Sequence, residues 1–179
     1  MKNFIMFLTF SRIFFGPVIF ILIVFFKFFL LGLAIFIFCA ISDFLDGYLA
    51  RKYGYESKLG KLLDPIADKI LLCSAIISII LVSNDAFIGL MGMIILLREF
   101  WVSGLREYTA INSIQSASDV SFLAKIKTSL QFIALCSYYL SYGYQLTLGI
   151  FISSFILFLS LLVSLKTGLE YTNNVFKSK

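Results

Sequence analysis

Two pairs of Asp residues lie inside otherwise apolar stretches of this sequence. Asp43 and Asp46 lie near the end of one stretch, and Asp64 and Asp68 lie near the start of the next. The spacings of three and four residues put each pair on one face of a helix. Two facing helices would bring the carboxylates together, and an ionised Asp at membrane depth indicates a functional site.

The charge of such a cluster predicts what it binds. Adjacent carboxylates repel one another strongly unless cations lie between them. Ligation by oxygen alone favours a hard divalent ion such as Mg²⁺, Mn²⁺ or Ca²⁺. Two such ions would neutralise the four Asp residues, and a two-metal site is suited to displacement at phosphorus. The competing interpretation is polar contacts between helices without a ligand. It is disfavoured because few basic residues lie within the two helices to pair with the Asp residues.

Small and basic residues accompany the carboxylates. Gly47 and Gly60 remove side chains where a nucleotide could approach the backbone, and Arg51, near the face of Asp43, can pair with a phosphate. The whole pattern is D-x2-D-G-x2-A-R-x8-G-x3-D-x3-D, which resembles the signature of the CDP-alcohol phosphatidyltransferase family. Its fixed positions are all present as Asp43, Asp46, Gly47, Ala50, Arg51, Gly60, Asp64 and Asp68.

The resemblance covers nearly the whole chain and implies an activity. Family members transfer a phosphatidyl group from CDP-diacylglycerol to an alcohol and release CMP, with Mg²⁺ or Mn²⁺ as cofactor. The resemblance implies that the four Asp residues hold two divalent ions and that Asp68 is also the general base. It also implies a homodimer. The residues expected to bind CDP-diacylglycerol are Asp43, Gly47, Ala50, Arg51, Ser57 and Gly60.

Basic residues near the ends of the later apolar stretches predict the acceptor. Arg98 is the most informative, since it lies inside an apolar segment. A basic pocket beside the metal site indicates an acceptor that itself carries phosphate. Alternatively, these residues anchor to lipid headgroups or pair with Glu99 and Glu107. The residues predicted to bind the acceptor phosphate are Arg98, Arg106, Lys125 and Lys127.

Two segments narrow the acceptor further. Residues 98–107 and 125–128 resemble the bacterial family members whose acceptor is sn-glycerol 3-phosphate. The alternatives are inositol phosphate, or phosphatidylglycerol in cardiolipin synthesis. The N-terminus of that subfamily often reads Asn-x-Pro-Asn-x-Leu-Thr-x-x-Arg. This chain matches it at Asn3, Leu8, Thr9 and Arg12 and departs from it at Ile5 and Met6.

The composition predicts the elements that position these residues. Of the 179 residues, 60% are hydrophobic and 14% are charged, and the mean hydropathy is +0.98. We therefore expect a single all-α domain, a polytopic membrane protein with six transmembrane helices around a polar cavity that faces the cytoplasm. The predicted spans cover about 10–26, 29–49, 61–82, 86–105, 121–142 and 146–165.

Two residue types limit the chemistry. The absence of His removes the usual general base and the usual transition-metal ligand. Cys39, Cys73 and Cys136 are isolated in apolar runs, which favours small buried hydrophobic residues over a zinc site or a redox pair.

The distribution of basic residues predicts the orientation. Six spans put both termini on one side, which collects every Lys and Arg except Lys27. The positive-inside rule places that side in the cytoplasm, with residues 1–12 as a juxtamembrane segment and 166–179 as a cytoplasmic tail. Arg12 either reaches the headgroups or faces inward. A cation transporter or channel is the remaining alternative. It is disfavoured because the carboxylates cluster toward one membrane face and no repeat is visible.

Overall fold

The chain is helical throughout the part that the structure, a computed structural model, describes. The described residues are 2–53, 58–112 and 122–177, and within them the chain forms six α-helices and no strand. The all-α prediction with six helices is confirmed. The helices are α1 Lys2–Val24, α2 Phe29–Tyr53, α3 Lys58–Ser83, α4 Ala86–Ile111, α5 Phe122–Gly143 and α6 Thr147–Lys177.

The protein is a multi-pass membrane protein. Five of the described helices, all except α5, are long and apolar enough to cross a bilayer. Large apolar side chains such as Phe7, Phe14 and Phe25 lie exposed on the helices or at their ends, where lipid can cover them. The first turns of α5 carry Lys125 and Lys127, which lower its hydropathy. The predicted sixth span therefore stays a prediction.

Every described helix reaches past its predicted span at one end or both. α1 is continuous from Lys2, so residue 12 does not mark a break. α3 begins at Lys58, and Pro65 therefore lies inside the helix rather than in its first turn, where the missing N–H leaves one carbonyl without its helical partner. α6 has 31 residues and is about 46 Å long, which exceeds the roughly 30 Å hydrocarbon core of a bilayer. The residues predicted as a tail are thus helical as far as Lys177.

Tight turns join three pairs of consecutive helices. Each turn contains a residue with positive φ, namely Lys27, Asn84 or Gln145. Asp85 caps α4, because its carboxylate accepts the backbone N–H groups of Phe87 at 2.7 Å and of Ile88 at 3.3 Å. Lys27 lies in the short gap between α1 and α2, and Asn84 lies in that between α3 and α4.

The helices group into two compact units. The first unit contains α1, α2, α3 and the end of α5 from Tyr138 onward. A Cβ atom on Gly16 would lie 3.0 Å from Ile70 Cγ2, so the absent side chain lets α1 approach α3 closely. Tyr139 is fully buried, and its hydroxyl lies 2.9 Å from Ser78 Oγ. The contact at Gly16 thus brings α1 close to α3 two residues after Asp68, and the Tyr139 hydroxyl joins the end of α5 to α3.

The second unit contains α4, α6 and α5 up to Ser137. α4 buries large side chains such as Met91 and Ile95. α6 buries the small residues Ser153, Ser160 and Ser164 along one face. Small residues at a helix interface let backbones approach closely in a membrane protein. The same face continues past Ser164 into the part of α6 that carries the contacts to Arg98.

Candidate active site

Four predicted Asp side chains converge on one guanidinium group in the first unit. The terminal nitrogen Nη1 of Arg12 donates to Asp43 and, at 2.5 Å, to Asp68. Nη2 donates to Asp46 Oδ2 at 2.6 Å and lies 3.4 Å from Asp64 Oδ1. α2 carries Asp43 and Asp46 toward its C-terminus, and α3 carries Asp64 and Asp68 in its first turns. The predicted meeting of the carboxylates from two helices is observed.

The cluster is buried on one side and open on the other. Arg12 is fully buried and the Asp46 side chain is 5% exposed, whereas Asp43, Asp64 and Asp68 are 49%, 45% and 52% exposed. A buried charge needs an oppositely charged partner. On the buried side of the cluster, Arg12 and Asp46 are such partners for each other. The more exposed carboxylates keep oxygen atoms accessible, so an ion or a phosphate group can reach them.

α1 contributes two polar residues to the cluster. Thr9 Oγ1 donates to Asp64 Oδ1 at 2.8 Å, and Thr9 is 1% exposed. Thr9 and Arg12 are three residues apart on one helix face. Of the two interpretations of Arg12, the structure shows the inward one. The sequence could have indicated this inward orientation, because an Arg inside an apolar span is costly unless it is paired.

The donor set fits divalent cations. Four carboxylates and one guanidinium leave a formal charge of −4 + 1 = −3 when all are ionised, and carboxylate oxygens are preferred ligands of Mg²⁺ and Mn²⁺. The described residues contain no preformed group of three or more His, Cys, Asp or Glu side chains with metal-site geometry. The carboxylates instead point at the guanidinium of Arg12. Divalent ions at this site therefore stay a prediction, which donor type and charge support.

The predicted CDP-binding residues flank this cluster. Gly47 follows Asp46 on α2, and Gly60 lies one turn before Asp64 on α3. Ala50 and Arg51 belong to α2, but their side chains lie outside the described part of the structure, and so does the whole of Ser57.

Two of the predicted acceptor residues meet in the second unit. Lys127 Nζ donates to Glu99 Oε1 at 2.6 Å, and Arg98 Nη1 donates to the same oxygen at 3.0 Å. Arg98 Nη2 also donates to Thr167 Oγ1 at 2.8 Å. The pairing with Glu99 that the sequence left as an alternative is therefore present for both cations. It leaves the trio with a net charge of +2 − 1 = +1.

The other two acceptor residues are exposed. Arg106 lies with its guanidinium 5.8 Å from the ring centre of Tyr171, and its charge acts on both Arg98 and Lys127. Lys125 is exposed two residues before the buried Lys127. Residues two apart on a helix point in nearly opposite directions. Lys125 and Lys127 therefore do not act as one pair.

Comparisons with known proteins agree with this arrangement. Residues 3–165 match the CDP-alcohol phosphatidyltransferase family. A protein of Rickettsia typhi is 38% identical over 179 residues, covering 96% of both chains. One of Rickettsia prowazekii is 38% identical over 178 residues, covering 95% of this chain and 93% of its own. Each is named CDP-diacylglycerol–glycerol-3-phosphate 3-phosphatidyltransferase. The chain therefore belongs to the CDP-alcohol phosphatidyltransferase family.

Proposed function

We propose that this enzyme transfers the phosphatidyl group of CDP-diacylglycerol to sn-glycerol 3-phosphate and yields phosphatidylglycerophosphate and CMP. The convergence of Asp43, Asp46, Asp64 and Asp68 on one cation is the observation that carries this proposal. Relatives that match nearly the full chain carry the corresponding name. The matched region includes both the carboxylate cluster and the Arg98–Glu99–Lys127 trio.

The chemistry is a displacement at the phosphorus of the phosphatidyl group. The oxygen of the acceptor's free primary hydroxyl forms a bond to that phosphorus, the bond from phosphorus to the bridging oxygen breaks, and CMP leaves with this oxygen. Asp68 takes the hydroxyl proton, since its side chain is about half exposed (52%) and can meet the acceptor. Bound Mg²⁺ or Mn²⁺ supplies charge stabilisation for the phosphoryl oxygens and the leaving group.

The chain's own residues hold the reactants for this step. Asp43, Asp46, Asp64 and Asp68 are the ligands that would hold the divalent ions. Gly47 and Gly60 leave backbone accessible to the nucleotide, and Arg51 supplies positive charge for the pyrophosphate. Positioning of two bound reactants supplies a large part of the rate, because a carboxylate among cations is a weak base.

The acceptor's phosphate binds to the basic group in the second unit. Arg98 and Lys127 share Glu99, which orients both cations, and each keeps further N–H donors. Arg106 adds positive charge nearby. A guanidinium matches a phosphate with two parallel hydrogen bonds, which an uncharged acceptor would not use.

The membrane setting follows from the same chemistry. CDP-diacylglycerol has acyl tails and a water-soluble nucleotide, so its pyrophosphate lies at the interface. We infer that the protein resides in the bacterial inner membrane with both termini and the active site on the cytoplasmic side, because the Lys and Arg distribution favours that orientation. We also propose that the protein forms a homodimer, as the family resemblance implies.

An acceptor panel tests the proposed function. Purified protein in detergent, with CDP-diacylglycerol and Mg²⁺, is given glycerol 3-phosphate, inositol phosphate or phosphatidylglycerol, and CMP release is measured. We expect release with glycerol 3-phosphate alone, loss of the activity in EDTA, and recovery with Mg²⁺ or Mn²⁺, because the carboxylates need cations to approach a pyrophosphate. Release with inositol phosphate and not with glycerol 3-phosphate would overturn the acceptor assignment.

A further inference from the structure

We propose that Gly168 and Thr167 are positioning residues for the acceptor site, and that they set the affinity for the acceptor's phosphate by fixing Arg98. This inference rests on the proposed function, since it takes Arg98 as the ligand of that phosphate. Both residues lie in the α6 extension, which we define as residues 166–177. They follow residue 165, where the match to the family ends.

The Arg98 side chain is held at both terminal nitrogens. Nη1 donates to Glu99 Oε1 at 3.0 Å, and Nη2 donates to Thr167 Oγ1 at 2.8 Å. The Thr167 hydroxyl in turn donates to a backbone carbonyl of its own helix, Val163 O at 2.9 Å or Ser164 O at 3.0 Å. Thr167 therefore presents its lone pairs to Arg98. A long side chain that is held at two points loses its rotamer freedom before the ligand arrives, which lowers the cost of binding.

Gly168 makes room for the stem of Arg98. A Cβ atom on Gly168 would lie 3.0 Å from Nε, 3.1 Å from Cγ and 3.6 Å from Cδ of Arg98. These atoms belong to a flexible side chain, so an added methyl group would displace Arg98 rather than separate the helices. Nε is buried and has no hydrogen-bond partner among the residues that the structure describes. Such an orphaned donor is normally costly, so the position of the guanidinium is maintained by its other contacts.

The remaining donors of the cluster suit a phosphate. Arg98, Glu99 and Lys127 are 10%, 18% and 9% exposed, so their charges act in surroundings with little water to screen them. Each terminal nitrogen of Arg98 carries two N–H groups, and its described hydrogen bonds use one of each. A shift of the guanidinium would change the direction of the remaining donors. The contacts of 3.0 and 3.1 Å from a Cβ atom on Gly168 require Arg98 to move by a few tenths of an ångström.

The main test compares two Gly→Ala variants. Gly168→Ala is compared with Gly104→Ala on α4, because a Cβ atom on Gly104 would meet nothing within 4 Å. Both substitutions raise helix propensity equally, so the difference between them reports the contact with Arg98. For Gly168→Ala we expect a KM for glycerol 3-phosphate that is roughly two- to tenfold higher, as for the loss of one pre-organised side chain. Its KM for CDP-diacylglycerol should be unchanged, its melting temperature should match that of Gly104→Ala, and Gly104→Ala should keep both KM values of the unmodified protein.

A second pair of variants tests Thr167. Thr167→Val keeps the shape and removes the hydroxyl, so we expect the same rise in the KM for glycerol 3-phosphate. Thr167→Ser keeps the hydroxyl and should restore a KM close to that of the unmodified protein. The positioning role is overturned if Gly168→Ala and Thr167→Val both leave this KM unchanged, or if they raise the KM values for both substrates equally.

Arg98→Lys separates failure of the inference from failure of the proposed function. It keeps the charge and loses the forked donors, so the KM for glycerol 3-phosphate should rise. If it rises while the α6 variants have no effect, the positioning role is wrong and the acceptor assignment stands. If Arg98→Lys leaves this KM unchanged, Arg98 does not bind the acceptor phosphate and both proposals about Arg98 fail.

Discussion

Asp68→Asn is expected to lower CMP release by about a thousandfold or more, since it removes a general base and a metal ligand together. The change should not unfold the protein. The Asp68 side chain is 52% exposed, and Asn keeps a carbonyl oxygen that can accept from Arg12. Loss of one of the adjacent negative charges also relieves repulsion among the remaining carboxylates. The measurement is the rate of CMP release from CDP-diacylglycerol and glycerol 3-phosphate, together with the melting temperature in detergent.

A metal titration separates the two roles of Asp68. A variant that had lost only a ligand would recover most of its rate at high Mg²⁺ or Mn²⁺, because mass action compensates for weaker binding. A variant that has also lost the base would not recover. We therefore expect the rate of Asp68→Asn to remain low at saturating metal. Recovery to within about tenfold of the unmodified protein would remove Asp68 as the base and leave it as a ligand.

Asp85→Asn is the matched control for this prediction. It removes the same charge from a residue that lies outside the carboxylate cluster and caps α4. Asn caps a helix about as well as Asp, so stability should hardly change. We expect CMP release by Asp85→Asn within about twofold of the unmodified protein, as for a surface substitution away from the site. A large loss in this variant would mean that the assay responds to any loss of negative charge.

The sequence predicted the carboxylate cluster because helical spacing carries that information. Asp43 with Asp46, and Asp64 with Asp68, each share a helix face by their spacing alone. The two helices are consecutive, but within the described residues each packs mainly against α1 and hardly against the other. The spacing therefore predicted which Asp side chains come together, but not that they do so through Arg12.

The contribution of α1 could not be derived in the same way. Arg12 lies 31 residues before Asp43, and α1 is apolar on nearly all sides. Lipid and a protein interior are both apolar, so hydropathy does not tell which face of a membrane helix turns inward. The small number of basic residues on α2 and α3 did not reveal a partner on a third helix, and α1 supplies one as Arg12.

The helical extension of α6 was missed for a different reason. The last span was predicted to end near residue 165, where charged residues begin and hydropathy falls. Hydropathy reports burial in lipid rather than helix formation, and packing can continue a helix past the apolar span, as the buried Thr167 and Val175 indicate. The contact between Thr167 and Arg98 joins residues 69 positions apart, a distance over which no spacing argument applies. The basic residues predicted to bind the acceptor were therefore identified from the sequence. The contact from α6 that supports Arg98 was not.

Arg12 distinguishes this site from an ordinary surface cluster of carboxylates. Its side chain is fully buried and it contacts all of the signature Asp residues. Within the described part of the chain, its Nε is buried without a hydrogen-bond partner. A buried cation with an orphaned donor would be unfavourable without strong compensation. The compensation is the negative charge of the cluster, and the dependence is mutual because Asp46 is also buried and needs a cation.

Arg12→Met is therefore expected to destabilise the protein strongly in the absence of divalent ions. Removal of one partner of a buried ion pair costs about 3–5 kcal/mol, which corresponds to a fall in melting temperature on the order of 10 °C for a chain of this size. The measurement is thermal unfolding in detergent with EDTA. Arg106→Met serves as the control, because Arg106 is exposed and its described contact is with the ring of Tyr171. We expect a change of no more than about 3 °C in this control.

Divalent ions should rescue Arg12→Met more than they stabilise the unmodified protein. The variant leaves four carboxylates without the guanidinium that they share, so Mn²⁺ or Mg²⁺ supplies the missing positive charge and binds more favourably to the larger negative charge. The stabilisation of Arg12→Lys by divalent ions should lie between those of Arg12→Met and the unmodified protein. Lys keeps the positive charge but lacks the forked guanidinium that reaches several carboxylates at once. An Arg12→Met protein that melts in EDTA at the temperature of the unmodified protein would show that the cluster does not depend on this cation. Equal stabilisation of both proteins by Mn²⁺ would show that guanidinium and metal do not act on the same carboxylates.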